Sequence, residues 1–183
     1  AKQLVETWTR MRVGDVLHLT FGDLLAMPLR ALGLRRGPGS SHGRQVLGGL
    51  VDVAPLERIV EERIPWGRLP RSLRRPTPKT LCISCTEVRT GHVTIFMDGP
   101  LSDPRPWLHD PNAKAIETRI DAGHVRASAA LPFLFPAVPE DGRYYGEGGL
   151  RMNTPLSPAL RLGAVRLLVV ALGKRPRLAG DAA

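Results

Sequence analysis

The stretch 141–172, DGRYYGEGGLRMNTPLSPALRLGAVRLLVVAL, constrains the fold more than any other part of the chain. Asp141-Gly142 is turn chemistry, and the aromatic pair Tyr144-Tyr145 behind it reads as a short strand. A carboxylate, Glu147, follows, with Gly148 and Gly149 after it. Thr154 as N-cap, Pro155 at the first position and Gly163 as a left-handed stop predict a helix with both ends marked. Val165 to Leu172 is then a nearly continuous apolar run, the pattern of a strand covered on both faces. Strand, helix and strand in this order argue for an α/β fold, a sheet sandwiched by helices.

Upstream the elements are shorter. Leu4, Trp8 and Met11, then Phe21, Leu24, Leu25 and Leu29, predict two helices before Leu34, with Pro28 inside or ending the second. The run 33–49, GLRRGPGSSHGRQVLGG, is a surface loop by composition. Pro55 stands where a helix would begin, Leu56, Ile59, Val60 and Ile64 supply its buried stripe, and Pro65 stops it. Arg68 to Pro78 reads as a basic connector. Leu81 to Glu87 and His92 to Met97 predict two strands around a turn at Arg89-Thr90-Gly91, a hairpin at a sheet edge. Ile116, Ile120, Gly123 and Ala127 predict one helix from Ala113 to Leu131, built of small residues that permit close packing and ended by Pro132 and Pro136.

With 183 residues the chain has room for one substantial core. No apolar run approaches the roughly 18 residues that cross a membrane, and the start, AKQLVETWTR, lacks the apolar centre of a signal peptide. A cytoplasmic location, or one peripheral to a membrane, is the expectation. The net charge of +9, from 26 basic against 17 acidic residues, favours phosphate-bearing partners through a screened and non-specific force. Arg30, Arg35, Arg36 and Arg44 cluster at the glycine-rich loop and make it the candidate for membrane contact. No helix-turn-helix, zinc finger or aromatic RNA-binding strand accompanies the charge, so no specific nucleic acid is expected. Cys82 and Cys85 form a lone C-x-x-C in a β-branched, strand-like context that points the two thiols to opposite faces. Neither a metal nor a cofactor is expected: there is no second ligand pair, and His18, His92, His109 and His124 have no partner at ligand spacing.

Two places invite a catalytic reading. Gly39-Ser40-Ser41-His42-Gly43 fits G-x-S-x-G formally, yet Ser41 follows Leu34-Arg35-Arg36-Gly37-Pro38 where a nucleophile elbow needs a buried strand. Ser41 therefore reads as loop. Glu147 is the better candidate, because Gly148 and Gly149 allow close backbone approach and can aim an acid into a cleft at a sheet end.

The string Asp141-Gly142-Arg143-Tyr144-Tyr145, with Gly148-Gly149, Asn153 and Pro155, resembles the acidic loop of patatin-like acyl hydrolases. Arg126-Ala127-Ser128-Ala129-Ala130-Leu131-Pro132 with Phe135-Pro136-Ala137-Val138 is similar to the helix and turn ahead of that loop. Leu47 to Asp52 and Pro55-Leu56 sit in the usual order, so the resemblance spans Trp8 to Leu172. It implies a three-layer, patatin-like and α/β-hydrolase-related sheet flanked by helices. It also implies lipid ester hydrolysis by a serine-acid dyad, with a lipid or acyl ester as substrate. Family members carry aspartate where this chain has Glu147; Gly148 and Gly149 would shape the turn, and Asn153 would brace the next helix. Ser128 is expected to serve packing. The N-terminal strand, the glycine-rich oxyanion loop and the serine elbow are not matched, and the resemblance implies that they precede residue 1. On that expectation residues 1–183 form a partial domain with no nucleophile, inactive alone. A non-catalytic lipid-surface or protein-binding module built on the same fold is the alternative.

Overall fold

A computed structural model describes Thr9, residues 51–152 and residues 155–170. Thr9 apart, the helices expected before Leu34 lie outside the described residues, as do the arginine-bearing loop, Ser41, Asn153 and Thr154.

Among the described residues, five strands form one mixed sheet: β1 (Leu81–Glu87), β2 (Val93–Asp98), β3 (Ala113–Glu117), β4 (Val138–Glu140) and β5 (Arg143–Glu147), in the order β3-β2-β1-β5-β4. β1 runs antiparallel to both neighbours, pairing Ser84 with Ile95 and Thr86 with Gly146, whereas β2 and β3 are parallel. Four short helices accompany them: α1 (Ala54–Arg63), α2 (Leu69–Arg74), α3 (Ala122–Ser128) and α4 (Leu156–Arg161). The described part is thus a sheet flanked by helices, an α/β fold as expected.

The two faces of the sheet carry separate apolar clusters. Cys85, Phe96, Ile120, Ala127 and Tyr145 pack under α3, where Phe96 meets Tyr145 edge-on with ring centroids 5.1 Å apart. Val93, Ile95, Met97 and Trp107 form the other cluster, joined by Cys82, Met152 and Leu162. The alternation of a strand separates the two cysteines by face, so their thiols point apart, and both are free. Burial pushes the Cys82 thiol up to about 11, and burial together with the Glu140 carboxylate pushes Cys85 up to about 12.

Several local signals act as expected. Pro55 lies in the first turn of α1, and Ile64, ahead of Pro65, is extended with ψ 121° and ends the helix. Gly91 (φ 69°) closes the β1–β2 turn, and Asp141 (φ 45°) with Gly142 (φ 73°) closes the β4–β5 hairpin. Gly163 (φ 86°) follows α4 as its left-handed stop.

Other expectations need correction. The β1–β2 hairpin is not at an edge: β5 covers one side and β3 the other, and every residue of β2 is buried. The single helix expected over 113–131 is a strand followed by a short helix. Ala113 to Glu117 pair with β2 in parallel register, and the helix starts only at Ala122, with Asp121 as its cap. The Asp121 carboxylate accepts from the N–H groups of Gly123 and His124, while His124 Nδ1 accepts from the Asp121 N–H, which nucleates α3 there. The connector after Arg68 contains α2, which Pro70 supports in the first turn. Pro155 occupies the cap position of α4 with ψ 64°, so the helix begins one residue later than expected. Finally, Val165 to Val170 form no strand and are exposed, Val165 at 96%. No described strand lies beside this run, so its backbone donors have no ladder to join.

Candidate active site

β5 brings Glu147 opposite Cys85 of β1, near the middle of the central strand. The main chain is held on both sides there. The Glu147 N–H donates to the Ala130 carbonyl at 2.9 Å, and the Thr86 hydroxyl donates to the Glu147 carbonyl at 2.8 Å. The chain then leaves the strand through a single 3-10 turn, Gly148–Leu150, closed by the Arg151 N–H on the Gly148 carbonyl, which also accepts from the Met152 N–H.

The two glycines have different reasons to be there. A Cβ on Gly148 would stand 2.0 Å from the Ser84 carbonyl oxygen, so this residue must be glycine for the turn to lie against β1. A Cβ on Gly149 would instead meet the Glu147 carboxylate, with Oε1 at 3.1 Å. The second glycine therefore leaves room for the acid. Glu147 itself is half-buried, and its carboxylate makes no hydrogen bond or ion pair with any described residue. An acid in that state keeps its lone pairs available to an incoming proton donor.

Ser128, at the end of α3, donates its hydroxyl to the same Ser84 carbonyl at 2.9 Å. Helix, central strand and acidic turn thus converge on one peptide group. Ser128 is engaged with main chain, consistent with a packing role.

A second acid, Glu87, was not singled out by the sequence. It is 1% exposed at the end of β1 and bonds Lys114 Nζ and, at 3.0 Å, Arg143 Nη1; Arg89 Nη2 lies at 3.8 Å. The hydrogen bond from Lys114, helped by its charge and by Arg143, holds the Glu87 carboxyl below its ordinary value against the opposing effect of burial. Three cations thus surround one buried carboxylate. The available signal was a lone acid ending an otherwise buried strand; its partners, from β3 and β5, are far away in sequence.

Beside the acidic turn lies an open cleft of about 410 Å³. Thr86, Gly146 and Ala130 line it, and Phe133, Phe135 and Leu150 wall it. Glu147 does not line this cleft; its preceding residue, Gly146, does. A further cleft of about 370 Å³ separates Cys82 and Ser84 from Pro158 and Leu162 near α4. Among the described residues no group of His, Cys, Asp and Glu side chains could hold a metal ion, and no helix is long and apolar enough to cross a membrane.

The family model described as patatin-like phospholipase matches residues 32–160, well over half of the chain. No curated protein and no solved structure matches it.

Proposed function

The chain belongs to the patatin-like phospholipase family, and from that premise we propose that it contributes the acid of a lipid acyl hydrolase, with Glu147 as general base. In this reading a serine hydroxyl attacks the ester carbonyl carbon and passes its proton to the Glu147 carboxylate. Backbone N–H groups hold the oxyanion that forms. Collapse of that intermediate expels the alcohol, which takes the proton back, and leaves an acyl-serine. Water repeats the sequence with Glu147 again as base, releasing the fatty acid and the free serine.

The observation that carries the reading is the state of Glu147: half-buried beside a turn that only glycine permits, its main chain held and its carboxylate unengaged by any described residue. No described serine stands in a G-x-S-x-G turn, and Ser41, the formal match, lies outside the described residues. The departure from the family is glutamate in place of aspartate. One added methylene moves the carboxylate by on the order of 1 Å, a displacement that can lower a rate about 100-fold.

The test is hydrolysis of a short p-nitrophenyl ester by the 183-residue chain and by a longer natural reading frame carrying a G-x-S-x-G elbow ahead of it. The longer protein should be active, Glu147→Ala should abolish the activity and Glu147→Asp should retain or raise it. Equal rates in all three proteins would remove Glu147 from the mechanism. Inactivity of the longer protein towards esters and phospholipids alike would favour the lipid-surface module.

A further inference from the structure

Phe133 combines two features that work against stability. Its φ of 66° lies in the left-handed region, which a bulky side chain rarely enters, and the residue is 84% exposed. A strained residue that presents apolar surface to solvent gains nothing within the described fold. Such an outlier points toward function.

Its surroundings say which. Phe133 forms the wall of the cleft beside the acidic turn, and Val88 and Leu150, both more than half exposed, stand on the same rim. Leu131 and Leu134, its neighbours in the Leu131 to Phe135 turn, are exposed as well. Two guanidinium groups flank this apolar rim. Arg89 follows Val88 and is 81% exposed as a side chain. Arg151 follows Leu150, and its Nη2 lies 3.3 Å from where a Cβ of Gly91 would sit, beside the cleft.

We infer that this rim is an interfacial site that seats the protein on an anionic lipid surface. Phe133, Val88 and Leu150 enter the acyl boundary, and Arg89 and Arg151 meet the phosphate groups. Apolar knobs bordered by cations at headgroup height are the arrangement such a surface selects. Charge decides against a second copy as occupant: two rims face to face would oppose their own arginines, on a chain carrying a net charge of +9. The inference uses none of the arginines of the 30–44 region and needs nothing from Glu147. It extends the proposed lipid chemistry by naming the surface from which the ester is taken.

The experiment is sedimentation of the full chain with vesicles of phosphatidylcholine containing one-third phosphatidylglycerol, in about 0.1 M salt. Wild type should bind these vesicles and not pure phosphatidylcholine. Phe133→Ala should weaken binding about tenfold or more, given the free energy of burying a phenyl side chain. Arg89→Gln and Arg151→Gln should each weaken it about fivefold, and Glu147→Ala should bind as wild type. Should Phe133→Ala fail to fold, Phe133→Trp supplies the reading through a blue shift of its emission when anionic vesicles are added. Absence of binding by wild type, or binding undiminished by these substitutions with no emission shift, overturns the inference. So does a concentration-dependent dimer that Phe133→Ala abolishes while vesicle binding is unchanged.

Discussion

The two adjacent glycines after Glu147 should respond unequally to the same added methyl group. At Gly148 an alanine Cβ would lie 2.0 Å from the Ser84 carbonyl oxygen and 2.7 Å from its carbon, about 1.4 Å inside the 3.4 Å at which ordinary contact begins. That oxygen belongs to the central strand and accepts the Ser128 hydroxyl, so it cannot rotate aside. Overpacking typically costs 1–3 kcal/mol, and a main-chain obstacle places this site at the upper end. The opposing gain from a less flexible unfolded chain is about 0.4–1 kcal/mol, which leaves Gly148→Ala destabilised by about 2 kcal/mol. At Gly149 the nearest atom is the tip of the Glu147 side chain at 3.1 Å, which can swing away, so Gly149→Ala should fall within about 0.5 kcal/mol of wild type. Urea unfolding monitored by circular dichroism measures both. For a chain of this size the loss at Gly148 corresponds to a melting temperature lower by roughly 4–8 °C. Equal midpoints for Gly148→Ala and wild type would refute the close approach of the acidic turn to β1.

Two further outcomes follow from the charged and thiol groups. Glu87 is held ionised below its usual 4.5 chiefly by the hydrogen bond from Lys114. The stability it contributes is therefore complete above that pH and lost as pH falls through the lower folded-state value. Glu87→Gln should cost about 1–2 kcal/mol near neutral pH, less than the loss of one partner from a fully buried pair, because the cations reach solvent. The difference from wild type in urea midpoint should close below pH 4.5, and one that closes above pH 5.5 would contradict the direction. Cys82 and Cys85, with thiols pushed up to about 11 and about 12, should alkylate slowly at pH 8 until the protein unfolds. Labelling of both by iodoacetamide at the rate of a free thiol would contradict their burial.

Local chemistry made the turns and several ends legible in the sequence. Asp141-Gly142 and Gly91 have turn geometry wherever they occur, and Pro65 ends α1 through the residue before it. The strand character of 81–87 followed from β-branched residues, and with it the divergence of the two thiols. What escaped depended on partners distant in sequence. Ala113 to Ile116 can fit a helix as well as a strand, and only the buried edge of β2 decides for the strand. The place of β1 at the centre of the sheet follows from β5, which lies more than fifty residues later. Val165 to Leu172 reads as a strand on composition, but composition does not supply a neighbour to pair with. At the candidate site the glycines told where the acid sits, whereas the Glu87 cluster and the arginine-bordered rim required three dimensions.

The clamps on residue 147 act through its peptide group, from Ala130 on one side and Thr86 on the other, and neither touches the carboxylate. Backbone placement at this position is consequently indifferent to the side chain it carries. The position behaves as a socket that accepts either acid: exchanging glutamate for aspartate changes the reach of the carboxylate and leaves the frame around it undisturbed.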